Sequence, residues 1–386
     1  MTNEQTPRTL EILRELGSCP ATPFFEELPT GYIVDTLRQA SIDHWRDDFG
    51  NVIAHITPVK ETSEPPVAFV AHMDHPGFEI TAIDGIEAVA KAVGGVPTAS
   101  LVKPTRVFAL APDGTRIPGT TERHEDTVDP TDRSSDRLVR IRFDSPIGLE
   151  APVPVMFDLI DFELDDNLIR MRAMDDLAGC AAILAMLERL TQDGSDTDIY
   201  GVFTRAEEGG LFGARLMADA GTLPKDTIVV SVESSSVIPG VAQGNGPVIR
   251  TGDALYTFDS EAEQVLVAAV KSIRERVPGF KVQRQLMSGG VCEASAFALF
   301  GYSVTGVAFP LGNYHNATTS IPDPDGDVGA EYIHTSDFLG GVELLIEAAK
   351  SVARRNDRPT WLGNVAEDVK ERMRYYESLT SADRLH

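Results

Sequence analysis

Histidine and carboxylate side chains recur in this 386-residue sequence at one kind of place, directly after an apolar run. His72 and Asp74 follow PVAFVA, Asp175 and Asp176 follow NLIRMRAM, and Glu207 and Glu208 follow DIYGVFTRA. Glu233 terminates TIVVSV, and His315 trails VTGVAFPLGNY. Imidazole and carboxylate without thiolate is the donor set of a zinc, cobalt or manganese site. Crowding these carboxylates together without a cation would force several to take up protons, whereas a pair of divalent cations removes the conflict. Each piece alone has a plainer reading. Asp175–Asp176 could cap a helix starting near Leu177, and Glu207–Glu208 could complement the positive end of one starting near Gly209. His75, beside Pro76, reads as a loop residue at the lip of the site rather than a ligand. The inference rests on convergence of the five segments.

The elements around these residues supply a reason to converge. Apolar residues at helical spacing mark helices over 7–17 and 28–40. After the turn cluster DDFGN come the strand-like NVIAHI and PPVAFVAH. From 167 onward strands and amphipathic helices alternate: NLIRMRAM before AGCAAILAMLERL, DIYGVFTRA before GLFGARLMADA, and YSVTGVAF before DFLGGVELLIEAAKSVARR. Alternation of this kind predicts an α/β fold with a mostly parallel central sheet flanked by helices. In such sheets ligands bind beyond the carboxyl ends of the strands, where the five polar segments fall. Between 77 and 166 the texture changes to short β-prone pieces separated by Gly, Pro and Asp. This predicts a small all-β, barrel-like domain inserted into a catalytic domain made of 1–76 and 167–386. The polar stretch 120–136 reads as a loop. In the tail, 356–386, a helix near 365–378 with Trp361 and paired tyrosines is expected to dock on the main domain or on a neighbouring subunit, core packing being the favoured reading.

Composition sets outer limits. The chain carries 34 basic and 59 acidic side chains, a net charge of −25, which repels nucleic-acid phosphates and anionic lipid. Three cysteines, Cys19, Cys180 and Cys292, are widely spaced and odd in number, which argues against a disulfide framework; Cys180 and Cys292 read as packed core thiols. No apolar run reaches the roughly 18 residues of a membrane span, and the first residues lack a signal-peptide pattern, so a cytoplasmic protein is expected.

The ordered set HMD, DD at a helix start, EEGGLFGA, an acidic strand end and a late histidine resembles the co-catalytic two-zinc exopeptidases. Within them it is most similar to the tetrahedral (glutamyl and deblocking) aminopeptidase family, over roughly residues 8–350. The quoted motifs include DDFGNVIA, VAHMDHPG, TRAEEGGLFGA, GNGPVIRTGD and FPLGNYHN. The resemblance implies that His72, Asp175 and Glu233 hold one divalent metal ion, expected to be zinc with cobalt or manganese as alternatives. Asp175, Glu208 and His315 would hold the other, with Asp175 as the bridge. It implies Glu207 as general base toward a metal-activated water and Asp74 as the group orienting His72. Peptides are the implied substrates, and the family's assembly implies a homo-oligomer, up to a dodecamer. The chain departs from the family pattern at His75, at Leu177, at Glu233 and at Gly289–Glu293, which replaces a Gly-Gly-Thr-Asp turn. His334, in EYIHTSD, competes with His315 for the last position but looks like a helix N-cap. The expected function is a two-metal aminopeptidase. The alternatives are a related amidohydrolase or carboxypeptidase on the same scaffold, or a non-catalytic binding protein.

Overall fold

The computed structural model describes residues 7–383 except 128, 133–135 and 358–359. An eight-stranded sheet forms the centre, in the order Asp43–Arg46, Val52–Ile56, Ile199–Thr204, Val67–His72, Ile228–Ser236, Ser303–Leu311, Val248–Arg250, Gln283–Gln285. The four middle strands, Ile199–Thr204 through Ser303–Leu311, are mutually parallel, and antiparallel strands flank them. Their unbroken apolar runs have a simple cause: both faces are covered. Along Val67–His72, Val67, Phe69 and Ala71 enter one core, while Ala68 and Val70 enter the other. The period of two in side-chain direction divides a single hydrophobic run between two layers.

Helices Arg8–Gly17, Glu27–Gln39, Leu177–Asp193, Ser260–Arg276 and Thr335–Lys350 pack on the first face; Phe212–Ala220 and Glu293–Leu299 pack on the second. Leu177–Asp193 is apolar nearly all round and buried through its first eleven residues, as a helix in the middle of a layer must be. Asp176 caps its start, its carboxylate accepting from the Gly179 N–H at 3.1 Å.

Inserted between Val67–His72 and the rest of the chain is a separate closed barrel. Its strands are Gly77–Asp84, Glu87–Val93, Arg106–Leu110, Arg116–Arg123, Leu138–Phe143 and Val153–Phe157, and it has its own core around Phe78, Val107, Ile141 and Phe157. The segment expected to be a polar loop from 120 is strand through Arg123, because Thr120–Arg123 pair with Val139–Arg142 across the barrel. Residues 128 and 133–135 of that stretch lie outside the described residues.

Two expectations change. Leu168–Met171 is not part of the central sheet; it pairs antiparallel with Glu163–Asp165 and Glu331–His334 in a small sheet of its own. Along this strand Ile169 and Met171 are buried while Leu168 and Arg170 are only half-buried, the alternation of a one-sided antiparallel strand. The last helix, Thr360–Asp383, does not bury its tyrosines: Tyr375 and Tyr376 are 60% and 59% exposed. Val369 and Met373 of the same helix are also exposed, 45% and 59%. The side chain of Trp361 lies outside the described residues. Cys180 and Cys292 are buried free thiols, as expected.

The strand Ser303–Leu311 is locked to helix Thr335–Lys350 by Phe309 against Phe338, ring centroids 5.4 Å apart. Phe338→Ala should destabilise the protein by about 3–5 kcal/mol, measured by denaturant unfolding. A loss within experimental error would show that this layer contact does not support the sheet.

Candidate metal centre

Four of the five predicted segments reach the site from the central parallel strands, and the fifth arrives from the small sheet through the turn after Met171. His72 ends its strand fully buried, with Nε2 3.3 Å from Asp175 Oδ1. The other Asp175 oxygen, Oδ2, lies 3.6 Å from His315 Nε2, which in turn sits 2.8 Å from Glu208 Oε1. Glu233 projects from within its strand, which continues past it to Ser236. One donor atom each from His72, Asp175 and Glu233 falls within 4.8 Å of the others, and the same holds for Asp175, Glu208 and His315. Asp175 is therefore common to two three-residue clusters, presenting a different oxygen to each imidazole. Glu207 joins two overlapping groups, with His72 and Glu208 and with Glu233 and Glu293. The peptide joining Asp175 to Asp176 is cis; Asp176 caps its helix and Asp175 faces the site.

The charge balance asks for cations. Burial pushes Glu233 well above the usual carboxylate range, and Glu293 and Asp175 add to it. Glu207 is likewise raised by burial and by neighbouring carboxylates. Burial opposes ionisation of Asp175 as well, but the imidazoles of His315 and His72 hold it below the ordinary range. Burial alone would depress His315; Glu208 and Asp175 overcome that and push it up to about 10. Meanwhile Asp175 Oδ1 and Glu233 Oε1 are buried and accept no hydrogen bond. Orphaned carboxylate oxygens beside two imidazoles are what a pair of divalent cations satisfies, so the residues fit two such ions.

Both imidazoles are held by main-chain carbonyls through Nδ1, leaving Nε2 directed at the carboxylates. His72 Nδ1 is 3.0 Å from the Asp74 carbonyl, and His315 Nδ1 is 3.2 Å from that of Gly95. The Asp74 carboxylate lies 3.7 Å from His72 Nδ1 and also accepts from the N–H groups of Glu207 and Glu208, at 2.9 and 3.0 Å. The left-handed turn at Ala206 (φ 49°) aims both N–H groups at it. His75 is also not a lip residue. It is buried, with Nδ1 2.6 Å from the Asp175 carbonyl and Nε2 2.9 Å from Asn316 Oδ1, and Asn316 donates to the Arg172 carbonyl at 2.8 Å. His334 stands apart, its Nδ1 accepting from the Ser336 N–H at 3.2 Å at the start of helix Thr335–Lys350.

Two supporting residues escaped the sequence reading. Glu331 is fully buried and accepts from the N–H groups of Met174, Asp175 and His315 at 2.8, 3.0 and 2.7 Å, tying two site loops to one carboxylate. Gly95, from the inserted barrel segment, approaches so closely that a Cβ there would stand 1.9 Å from His315 Nδ1. The Gly94–Gly95 pair was the only available signal for the second; nothing local marked Glu331.

Two histidines and several carboxylates gathered at the carboxyl edge of a parallel α/β sheet, with one aspartate shared between them, define a co-catalytic metallohydrolase of the exopeptidase kind. The family model described as M42 glutamyl aminopeptidase matches residues 50–325, over two-thirds of the chain, and the chain belongs to that family. It is a two-metal-dependent aminopeptidase. A curated relative named "Putative aminopeptidase FrvX", from Escherichia coli (strain K12), is 26% identical over 281 residues, 68% of this chain and 76% of that one. Among solved structures, the fold is similar to an aminopeptidase from the archaeon Desulfurococcus kamchatkensis (TM-score 0.72, 23% identity, covering 90% of this chain and 97% of that one). It is also similar to the TET1 peptidase of Pyrococcus horikoshii (TM-score 0.70, 24% identity, 88% and 99%).

Glu331→Gln should weaken metal binding by about 10–100-fold, read by chelator competition, because an amide group would face N–H donors. Unchanged affinity would remove Glu331 from the site's support. His315→Ala should cost one bound ion and His334→Ala none, by metal analysis; the reverse pattern would reassign the ligand. In the metal-free protein the raised His315 pKa stabilises the fold fully below the unfolded-state value of about 6.5, and this contribution fades as pH rises through about 10. Ligation requires the neutral ring, so metal uptake near pH 7 should release protons and tighten as pH rises. Calorimetry in buffers of different ionisation enthalpy measures the release; a buffer-independent heat would contradict it.

Proposed function

We propose that His72, Asp175 and Glu233 hold one divalent ion and Asp175, Glu208 and His315 the second, with Glu207 as general base. The observation that carries this is the double-facing Asp175 carboxylate, one oxygen toward each imidazole. Two imidazole nitrogens and the oxygens of three carboxylates, without sulfur, suit zinc, and also cobalt or manganese. Bound there, the ions supply Lewis acidity to the attacking water and the scissile carbonyl.

The chain's own groups do the rest. Glu207 lines the same cavity as the ligands, its Oε2 3.9 Å from His72 Nε2, and it is not needed to complete either three-residue cluster. It is placed to take a proton from water and return it to the nitrogen of the departing peptide as the C–N bond breaks. Asp74, clasping the Glu207 and Glu208 N–H groups, is a positioning residue for both. A cavity of about 500 Å³ opens over the site and admits the end of a peptide chain.

Assembly and location belong to the same reading. The Pyrococcus TET1 peptidase is described as assembling into a tetrahedron or a large octahedral shell. A homo-oligomer of this chain, up to a dodecamer, follows by analogy. No helix among the described residues is long and apolar enough to cross a membrane, which agrees with a cytoplasmic site of action.

Glu207→Gln should lower kcat on aminoacyl-anilides by on the order of 10²–10⁴-fold while both ions remain bound. Normal turnover in that variant would sink the base assignment, and hydrolysis of N-acyl amino acids alone would favour a deacylase.

A further inference from the structure

The catalytic cavity is charged at its floor and apolar along its walls. Beside the site residues it is lined by Leu211, Leu255, Tyr256, Val291, Leu299 and Ile321. Leu255 and Leu299 are 67% and 57% exposed, so two large aliphatic side chains stand open to solvent over a polar centre. Single exposed apolar residues are ordinary, but a set sharing one concave wall with a reactive centre points to an apolar ligand group.

This wall is held in place. Gly252 and Thr257 bridge to form a tight hairpin, with Leu255 near its tip. Asp253, buried, accepts through Oδ1 from the N–H groups of Leu255 and Tyr256, at 2.8 and 3.0 Å. Through Oδ2 it accepts from the Cys292 N–H at 3.1 Å, immediately before helix Glu293–Leu299, which carries Leu299 at its far end. The Ala254 N–H adds a 2.9 Å bond to the Gly290 carbonyl. One carboxylate thus fixes both halves of the wall relative to the turn Gly289–Val291, which borders the metal centre.

Resting on the aminopeptidase reading above, we infer that the substrates are peptides with a bulky apolar N-terminal residue, whose side chain packs against Leu255 and Leu299. Among the described residues the wall offers no carboxylate besides those of the site, so a lysyl or arginyl side chain gains no further partner there. Among the described residues lining the cavity Arg215 is the only arginine or lysine, and it is exposed on helix Phe212–Ala220. A glutamyl side chain directed at it would give up the apolar contact for a solvated ion pair, which contributes little.

The test compares kcat/KM for leucyl, methionyl, alanyl, glutamyl and lysyl 4-nitroanilides on the metal-loaded protein and on Leu255→Ala and Leu299→Ala. The leucyl and methionyl compounds should exceed the glutamyl and lysyl ones by about tenfold or more. Each variant should lower the leucyl value by about five- to tenfold and the alanyl value by less than about threefold. Both leucines are more than half exposed, so the variants retain the fold, and unfolding measurements verify it. A glutamyl preference that Arg215→Ala abolishes, or a leucyl preference untouched by both variants, overturns this inference and leaves the aminopeptidase reading standing. Absence of hydrolysis for every anilide, with N-acyl amino acids cleaved, overturns both.

Discussion

A buried carboxylate between two buried imidazoles is the constraint around which the rest is arranged. Asp175 can present one oxygen to His72 and the other to His315 only if three segments, distant in sequence, are fixed to within a fraction of an ångström. Like charges buried together are expensive, so the surrounding structure must either supply cations or protonate the cluster. Without cations the imidazoles hold Asp175 down while burial and neighbouring carboxylates push Glu233 and Glu207 up.

Rigidity comes from main-chain hydrogen bonds to a few buried side chains. Glu331 gathers the N–H groups of the Asp175 and His315 loops, Asp74 those of Glu207 and Glu208, and His75 with Asn316 pins the Asp175 carbonyl. Asp253 repeats the device for the cavity wall. In each case one polar side chain satisfies backbone groups from loops that carry no ladder of their own, which both prevents unsatisfied burial and sets loop geometry. The barrel takes part through Gly95, whose carbonyl steadies His315. A unit with a separate core thereby contributes to the catalytic centre, and glycine is required there because the imidazole occupies the space a Cβ would fill.

The sequence by itself determined much of this: the alternating α/β pattern, the inserted β unit, and the residues gathered at the site, His72, Asp175, Glu207, Glu208, Glu233 and His315. Those features are local. Apolar period, cap chemistry and the position of a polar residue after a buried strand are readable from neighbours in the chain. It also placed His334 as a cap rather than a site residue, from the pattern HTSD. Only the tertiary structure decided that Leu168–Met171 leaves the central sheet, that the Asp74 carboxylate also gathers the N–H groups of the two glutamates, and that His75 is buried behind Asp175. It likewise revealed Glu331 and Gly95, and left Tyr375 and Tyr376 on the surface. These depend on register between segments as far apart as 75 and 316, and on how closely two backbones approach. Such quantities are set by the packing of the whole domain, and no stretch of neighbouring residues carries them.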